Sequence, residues 1–427
     1  MEYTSVVTAF LRSEEFILLL RRSNEVGTYK GKWAAVSGFL EGDENPLERA
    51  KTEISEEIGL TQHDIAFVRR GEPLRVYDEQ REIVWIIHPF LFDAIHSRIR
   101  IDWEHSEYKW VSQSDLETHE TVPKLKEAFD RVRWDLKTTS PSLTRAFQLI
   151  EEIDRDRTNG ASYLGRKAIA ALQAVAQYSD ARSSGDLFRD ILHISLRLRA
   201  AQPSMATIWN HTGKLLNELE YAWQSKAITE FKELVQDLSE KAVLRSEIAE
   251  EQVSRNLSNI LLKKRNILTH SYSGTVKRAL QLCKDATPQI YVTESAPRFE
   301  GRMLVRDLKR LELSAHVVPD TTTHSFPVDF DVTVVGADSI LTDGSVINKT
   351  GTRDIAQTAH QLGIPVYVGA ETTKLNAMQF LGEPIRLTAI FDQTPSDYIT
   401  SIVTEHREMK PAEVRQQIKM LVSELYT

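Results

Sequence analysis

Three glutamates on one short predicted helix have the spacing of a cation-binding group. Glu53, Glu56 and Glu57 share one flank of such a helix, because successive residues are rotated by about 100° around its axis. Each like-charged pair at these spacings costs about 0.2 to 0.5 kcal/mol on an isolated helix. A hard divalent cation would neutralise that repulsion, so the pattern predicts a site for Mg²⁺ or Mn²⁺.

The helix that carries these glutamates is predicted to begin at Pro46 and to end before Gly59. Proline favours the first helical turn, and glycine favours the position just after the last one. The apolar residues of the helix recur at helical spacing and are expected to face a core. They are Leu47, Ala50, Ile54 and Ile58.

The segment from Gly38 to Leu60 resembles the Nudix box, G-x5-E-x7-R-E-U-x-E-E-x-G-U, in which U is an aliphatic residue. The matching residues are Gly38, Glu44, Glu53, Ile54, Glu56, Glu57, Gly59 and Leu60. Thr52 stands where the family has an arginine that normally supports the catalytic glutamates. Arg49, four residues before Glu53, is the candidate for replacing its positive charge.

The resemblance implies a pyrophosphohydrolase in which the box holds Mg²⁺ and a glutamate helps water to attack a diphosphate linked to another group. It implies that Glu53, Glu56 and Glu57 are both catalytic and metal-binding, with the Gly38 carbonyl nearby. A further metal ligand is expected from the EHSEYKW segment, where Glu104 is preferred to Glu107.

Two arginines end the FILLLRR strand predicted in the same region. Arg21 and Arg22 are candidates for contact with phosphate oxygens, because guanidinium groups match the geometry of phosphate. A solvated strand end would explain the same residues.

Polar clusters follow four apolar, strand-like runs in the C-terminal half of the chain. They are Thr269-His270-Ser271, Glu294-Ser295, Gly336-Ala337-Asp338 and Gly369-Ala370-Glu371. The carboxyl ends of parallel strands meet at one edge of a sheet, so these clusters are predicted to line one crevice. The VINKTGT segment also supplies Asn348 and Lys349, and lysine is a natural partner of phosphate.

These clusters, with RTNGASYLGRKA near Gly160 and QPSMATIWN near Met205, resemble the family that joins ribose-1,5-bisphosphate isomerase, methylthioribose-1-phosphate isomerase and the regulatory subunits of translation initiation factor 2B. The resemblance extends from about Leu143 to Thr427. Its isomerases use a cysteine and an aspartate as acid and base, which implies catalytic roles for Ser271, at the cysteine position, and Asp338. The family's E-T-R-P motif is ESAP here, so Ala296 replaces an arginine and Arg298 is its candidate substitute.

The ligand-binding residues expected in this region are Gly160, Ala161, Ser162, Glu294, Arg298, Asn348 and Lys349. Backbone N–H groups of Gly160 to Ser162 would cradle a phosphate at a helix start, although an ordinary helix cap explains them nearly as well. A serine hydroxyl stays protonated unless a strong base activates it, so Ser271 favours binding of a sugar phosphate or nucleotide over isomerisation. A sugar-phosphate isomerase and a non-catalytic ligand-sensing regulator are the alternatives.

A chain of 427 residues is too long for one ordinary core, and its patterns predict an α/β multidomain protein. Residues 1–137 are expected to form an α+β Nudix fold and residues 138–147 a linker. Residues 148–265, rich in helix formers, are predicted to form a helical subdomain, and residues 266–427, with alternating strands and helices, a Rossmann-like parallel sheet.

The amino-acid composition limits the kinds of partner and location that are expected. The net charge is −8, with 53 basic and 61 acidic residues, which makes nucleic acid an unexpected partner. Cys283 is the single cysteine and no apolar run reaches the roughly 20 residues that cross a bilayer, so a cytoplasmic protein without a membrane span is expected. A nucleotide or sugar phosphate is the expected ligand. The resemblance implies a homodimer or higher homo-oligomer through the C-terminal domain.

Overall fold

The computed structural model describes residues 2–42, 44–78, 82–95, 98–133, 141–321, 326, 328–385 and 387–426. It divides into two compact units. The first consists of Met1–Thr138, Phe380–Pro384 and Tyr426–Thr427, and the second of Thr139–Gln379 and Ile385–Leu425. No helix in the described ranges is both long enough and apolar enough to span a bilayer.

The first unit is built on a mixed sheet, to which eight strands contribute in the described ranges. The strands are β1 (Glu2–Ser13), β2 (Phe16–Arg22), β3 (Trp33–Ala34), β4 (Val36–Phe39), β5 (Ile65–Arg70), β6 (Leu74–Asp78), β7 (Ile83–Ala94) and β8 (His105–Ser112). Its main order is β3-β2-β1-β7-β5, with β4 also paired to β1, β6 to β7 and β8 to β2. β1 and β7 are parallel, and the other described pairs are antiparallel.

Two helices accompany this sheet, α1 (Pro46–Ile58) and α2 (Leu125–Asp130). α1 begins where the Asn45 side chain accepts hydrogen bonds from two N–H groups of the first turn, and it ends at Gly59, whose φ of 70° suits glycine. The predicted bounds of this helix are confirmed. Its four predicted core residues are buried against Val7, Phe90 and Phe92 of the sheet, which fixes the direction in which its acidic flank points.

The second unit begins with a group of helices. They are α3 (Thr144–Arg155), α4 (Ala161–Tyr178), α5 (Ser184–Ala201), α6 (Ala206–Leu219), α7 (Ala222–Ser225) and α8 (Ile228–Leu261). α4 packs against α3, α5, α6 and α8, and one apolar cluster that includes Leu172, Ile191 and Phe231 joins the group. The predicted helical character of this region is confirmed, but α3 begins at Thr144, within the segment that was expected to be a linker.

A parallel sheet follows in the order β11-β10-β9-β12-β15-β17-β18, with β18 antiparallel at its edge. β13, β14 and β16 form a small separate sheet. The strands are β9 (Asn266–Thr269), β10 (Gln289–Thr293), β11 (Ser314–Val318), β12 (Val332–Val335), β13 (Ser339–Ile340), β14 (Val346–Lys349), β15 (Val366–Gly369), β16 (Phe391–Thr394), β17 (Ser401–Val403) and β18 (Glu408–Met409). The helices are α9 (Gly274–Leu282), α10 (Glu300–Arg310), α11 (Thr352–Gln361), α12 (Ala377–Phe380) and α13 (Val414–Tyr426).

The predicted Rossmann-like alternation is therefore confirmed. β9 lies between β10 and β12, so the polar clusters that follow these three strands emerge side by side at one edge of the sheet. Cys283 is buried in the core beneath α9, and burial raises the pKa of its thiol to about 11. It is a packing residue.

Candidate functional site

The acidic flank of α1 faces a cavity of about 350 Å³ in the first unit. Gly38, Glu53, Glu56 and Glu104 line this cavity, whereas Glu57 does not. Only 6% of the Glu53 surface and 4% of the Glu57 surface is exposed to solvent, and Glu56 is exposed. The structure thus brings four of the five predicted metal-site residues to one opening.

Burial dominates the electrostatics of the two inner glutamates. Burial raises the pKa of Glu53, and the guanidinium of Arg49 opposes the rise. Burial also raises the pKa of Glu57 well above its usual range, although Glu57 Oε1 accepts a hydrogen bond of 3.0 Å from the Ser37 N–H. Burial therefore disfavours the ionised form of both carboxylates, whereas a nearby positive charge favours it.

Gly38 is the last residue but one of β4 and lies directly against Glu53. A Cβ atom at this position would lie 1.7 Å from Glu53 Oε1. A larger residue would displace this carboxylate, so glycine at this position keeps Glu53 where it is.

The positive charge that the box arginine would supply comes from a residue about one turn earlier on α1. Thr52 is exposed, and its hydroxyl donates to the Glu48 carbonyl at 3.1 Å. Arg49 instead forms an ion pair with Glu53. The cationic partner of this carboxylate therefore comes from Arg49.

His105 is a residue of this region that sequence reasoning missed. It is buried, with Nδ1 3.0 Å from Asp102 Oδ1 and Nε2 3.6 Å from Glu57 Oε2. Burial lowers the pKa of His105, and Asp102 opposes the shift. A histidine within the acidic EHSEYKW segment was the available signal, and the fold places it behind Glu57.

The two arginines at the end of β2 separate. Arg22 lines the cavity, and its Nε donates to the Thr28 carbonyl at 2.9 Å. Arg21 does not line it, because its guanidinium pairs with Glu107 at 2.9 Å. A register shift against β8 falls between the two residues, in keeping with their different surroundings.

One wall of the cavity is aromatic and apolar. The rings of Phe39 and Trp85 lie 6.1 Å apart at 44°, and 58% of Phe39 is exposed. Trp85 Nε1 is buried and has no acceptor among the described residues. Val76, Ile87 and Pro123 continue this wall. Neither ring was predicted as a site residue, because Phe39 occupies an unspecified position of the box and Trp85 lies outside it.

The donor set fits a hard divalent cation. Among the described residues no three His, Cys, Asp or Glu side chains already stand in a metal-binding arrangement. However, Glu53, Glu56 and Glu104 offer carboxylate oxygens to the same cavity, and buried Glu57 Oε2 lacks a hydrogen-bond partner in the described ranges. Oxygen ligands of this kind suit Mg²⁺ and Mn²⁺.

A second cavity, of about 320 Å³, lies in the second unit at the edge where β9 and β12 end. Seven of the nine residues predicted for this site line it. They are Gly160, Ala161, Ser162, Ser271, Asp338, Asn348 and Lys349. Glu294 and Arg298 do not line it, since Glu294 pairs with Arg302 and Arg298 donates to the Arg157 carbonyl at 2.7 Å.

Ser271 occupies the sharp turn between β9 and α9, with a φ of 61°. Its N–H donates to Ser295 Oγ at 2.8 Å, and its Oγ donates to Glu300 Oε2 at 2.6 Å. Glu300 Oε1 lies 3.1 Å from Lys349 Nζ. Sequence reasoning missed Glu300, although it belongs to the ESAPRFEG segment that carried the family resemblance.

Asp338 lies at the end of α4 that the sequence predicted to cradle a phosphate. Burial raises the pKa of Asp338, while the Lys374 and Lys349 ammonium groups and a hydrogen bond from the Ala161 N–H oppose the rise. Ser162 Oγ donates to Glu371 at 2.9 Å, and Glu371 pairs with Lys374 at 2.9 Å. The start of α4 is thus linked to two carboxylates at this edge of the sheet.

The folds and sites define a chain of two modules, one built around an acidic helix and the other around a helical group and a parallel sheet. The pattern of the Initiation factor 2 subunit family matches residues 157–387, which is more than half of the chain, and that of the NUDIX domain matches residues 2–132. The chain belongs to the Initiation factor 2 subunit family and carries a NUDIX domain. Both predicted resemblances are confirmed.

Relatives of known name share the second module. An eIF-2B subunit 2-like protein of Pyrococcus abyssi is 28% identical over 275 residues, which cover 61% of this chain and 95% of the relative. The ribose 1,5-bisphosphate isomerase of Haloferax volcanii is 27% identical over 301 residues, which cover 64% of this chain and 90% of the relative.

Solved structures agree with this assignment. The translation initiation factor eIF-2B of Pyrococcus horikoshii OT3 superposes with a TM-score of 0.54 at 26% identity, covering 63% of this chain and 98% of that one. The tetrameric eIF2B-beta2-delta2 complex of C. thermophilum gives a TM-score of 0.55 at 16% identity, covering 66% of this chain and 95% of that one. This likeness shows a shared fold.

Proposed function

We propose that the first unit is a Mg²⁺-dependent pyrophosphohydrolase that acts on a nucleoside diphosphate derivative. The observation that carries this proposal is the convergence of Gly38, Glu53, Glu56 and Glu104 on one cavity, with Glu57 buried behind them. The NUDIX domain implies a hydrolase, and NUDIX domains typically use a divalent metal.

Glu53, Glu56 and Glu57 would hold the cation, with Glu104 as a further ligand. When bound, Mg²⁺ or Mn²⁺ supplies neutralisation of phosphate charge and a lower pKa for a bound water. Arg49 holds Glu53 in an ion pair, and His105 faces Glu57 from behind. These partners keep the inner carboxylates in place, as outer-shell groups do in metal sites generally.

The other walls of the cavity favour a nucleoside as the group linked to the diphosphate. Arg22 offers a guanidinium near the carboxylates. Phe39 and Trp85 offer ring faces for stacking, and Trp85 Nε1 offers a donor without an acceptor in the described part of the chain. ADP-ribose is a candidate substrate, because its cleavage yields a ribose phosphate, a member of the ligand class proposed for the second unit.

The test is hydrolysis of ADP-ribose, dinucleoside polyphosphates and nucleotide sugars by the full chain with Mg²⁺. Wild type should cleave at least one of them, and Glu56→Gln should lower kcat by at least about 100-fold. Glu48→Gln is the matched control, because Glu48 lies on the same helix but is exposed and paired with Lys51. Equal rates for wild type and Glu56→Gln would sink the proposal.

For the second unit we propose binding of a sugar phosphate or nucleotide in the cavity at the strand ends. Lys349 and Asn348 line it beside the backbone of Gly160, and the isomerase of Haloferax volcanii has a name that specifies a phosphorylated ribose. Calorimetry with ribose 1,5-bisphosphate and with AMP tests this. Lys349→Ala should weaken binding at least about tenfold, and Lys284→Ala, at an exposed ion pair, should not. Absence of binding by wild type would refute it.

The alternative of a non-catalytic regulator would show ligand-dependent thermal shifts without turnover. A homodimer or higher homo-oligomer through the second unit is supported by the family assignment and by the tetrameric complex that shares its fold.

A further inference from the structure

Arg49 is a residue of α1 whose partner would change if a cation entered the cavity of the first unit. Its guanidinium forms an ion pair with Glu53, and both residues line this cavity. Arg49 Nε is buried and has no hydrogen-bond acceptor among the described residues. Because a guanidinium carries five N–H donors in a fixed fork, its ion pair with one carboxylate leaves it able to donate further hydrogen bonds.

The arginine of the Nudix box would not occupy this place. Position 52 is held here by Thr52, which is exposed and does not line the cavity. Arg49 precedes Glu53 by four residues and Glu56 by seven, and these spacings place the three side chains on one flank of the helix. A positive charge at position 49 therefore lies at the cavity, whereas one at position 52 would start outside it.

The other arginine of the cavity is held differently. Arg22 Nε donates to the Thr28 carbonyl at 2.9 Å, and Arg22 Nη2 donates to Thr28 Oγ1 at 3.5 Å. These acceptors do not belong to the proposed cation ligands, so binding of a cation leaves the contacts of Arg22 unchanged. The partner of Arg49 is instead Glu53, which is one of those ligands. Of the two arginines, Arg49 is the one whose contacts depend on the cation.

We propose that Arg49 is a substrate-binding residue as well as the partner of Glu53. Its guanidinium neutralises Glu53 until this carboxylate binds a divalent cation, and it then donates to a phosphate oxygen of the diphosphate. The inference rests on the proposed hydrolase, and it gives Arg49 a role that an arginine at position 52 would not fill.

The balance of charge favours this exchange. A carboxylate bound to a divalent cation attracts a guanidinium less strongly, and two positive charges in one cavity repel each other. A diphosphate brings negative charge into the same cavity, and a guanidinium matches phosphate oxygens with paired N–H donors. Binding of the cation and binding of the diphosphate should therefore strengthen each other, in part through Arg49.

The experiment compares two affinities of the full chain. Electron paramagnetic resonance gives the affinity for Mn²⁺ without substrate, and calorimetry in saturating Mg²⁺ gives the affinity for α,β-methylene-ADP, a diphosphate analogue that resists hydrolysis. Arg49→Ala should bind Mn²⁺ at least as tightly as wild type, because a competing positive charge is gone. The same variant should bind α,β-methylene-ADP at least about tenfold more weakly, and its KM for the substrate that wild type cleaves should rise.

Two further variants serve as controls. Lys51→Ala, at an ion pair with Glu48 on the same helix, should change neither affinity by more than about twofold. In Arg49→Ala/Thr52→Arg the positive charge returns at the box position, which does not line the cavity. This double variant should therefore bind α,β-methylene-ADP as weakly as Arg49→Ala does, and recovery of the wild-type affinity would overturn the inference.

The outcomes separate this inference from the hydrolase on which it rests. Equal affinity for α,β-methylene-ADP in wild type and Arg49→Ala, with equal KM, overturns the inference alone. Loss of both affinities in Arg49→Ala also overturns it, because Arg49 would then only support the carboxylates. Absence of hydrolysis and of nucleotide binding by wild type overturns the proposed hydrolase as well.

Arg49→Lys keeps the proposal testable if Arg49→Ala does not fold. Lysine retains the positive charge but lacks the planar fork, so α,β-methylene-ADP should bind at least about threefold more weakly while the Mn²⁺ affinity is unchanged. Binding of α,β-methylene-ADP as tight as in wild type would overturn the inference.

Discussion

Arg49 reaches Glu53 from one turn earlier on α1, so the buried carboxylate has a cationic partner although Thr52 supplies none. Burial raises the pKa of Glu53, and this guanidinium opposes the rise. The ion pair therefore favours the ionised carboxylate, which is the form that binds a cation. It also means that an incoming cation meets a carboxylate that already has a partner.

Removal of this partner should be measurable without substrate. We expect Arg49→Ala to lower the free energy of unfolding by about 1 kcal/mol without divalent cations, because Glu53 then lacks a counter-charge. Mg²⁺ would replace that charge, so it should raise the thermal midpoint more in the variant than in wild type. Circular dichroism melts measure both effects, with Lys51→Ala as the control on the same helix. Equal Mg²⁺ shifts would contradict this role of Arg49.

His211 predicts a pH dependence of the second unit. It lies on α6 against Gly165 of α4, and burial lowers its pKa from 6.5 to about 4. Between these values the unfolded chain binds more protons than the folded chain, so stability falls as the pH falls from 6.5 towards 4. The contribution is on the order of 3 kcal/mol. Urea denaturation at several pH values gives the free energy of unfolding as a function of pH. This free energy should change less steeply with pH in His211→Gln than in wild type. The same slope in both would contradict the assignment.

At the scale of elements, the sequence predicts best what neighbouring residues determine. α1 has its capping residue, its proline and its terminal glycine within the helix or beside it, so its bounds follow from local chemistry. The convergence of Ser271 and Asp338 follows from the rule that parallel strands present their carboxyl ends at one edge. Both predictions needed only the local sequence and the order of the elements along the chain.

Contacts between distant elements are not available from such patterns. Phe39 of β4 and Trp85 of β7 come together because β1 pairs with both strands, and periodicity alone does not give that order. Glu300 has the appearance of an ordinary acidic residue in the first turn of a helix, and only the packing of α10 on β10 brings it to Ser271. His105 reaches Glu57 in the same way.

The close packing of α10 on β10 can be tested by a substitution at Gly301. In Gly301→Ala the new methyl group would meet the Thr293 carbonyl, so α10 must move away from β10. We expect a loss of about 1 to 3 kcal/mol in the free energy of unfolding. Denaturant unfolding measures this loss. An unchanged midpoint would show that α10 does not approach β10 as closely as described.

At the scale of the whole molecule, each unit has an apolar core and a cavity of its own. The homo-oligomer proposed above concerns the second unit, which matches the Initiation factor 2 subunit family. Light scattering on the full chain should therefore give at least twice the 48.7 kDa of one chain. A mass of 48.7 kDa across a range of concentrations would contradict the proposed oligomer.

The proposed hydrolase depends on a divalent cation held by the carboxylates of α1. Titration of the full chain with Mn²⁺, followed by electron paramagnetic resonance, tests it most directly because free and bound Mn²⁺ give different signals. We expect a Mn²⁺ site for which Mg²⁺ competes, and its affinity should fall at least about tenfold in Glu53→Gln and in Glu57→Gln but not in Glu48→Gln. Identical titrations for wild type and all three variants would contradict it.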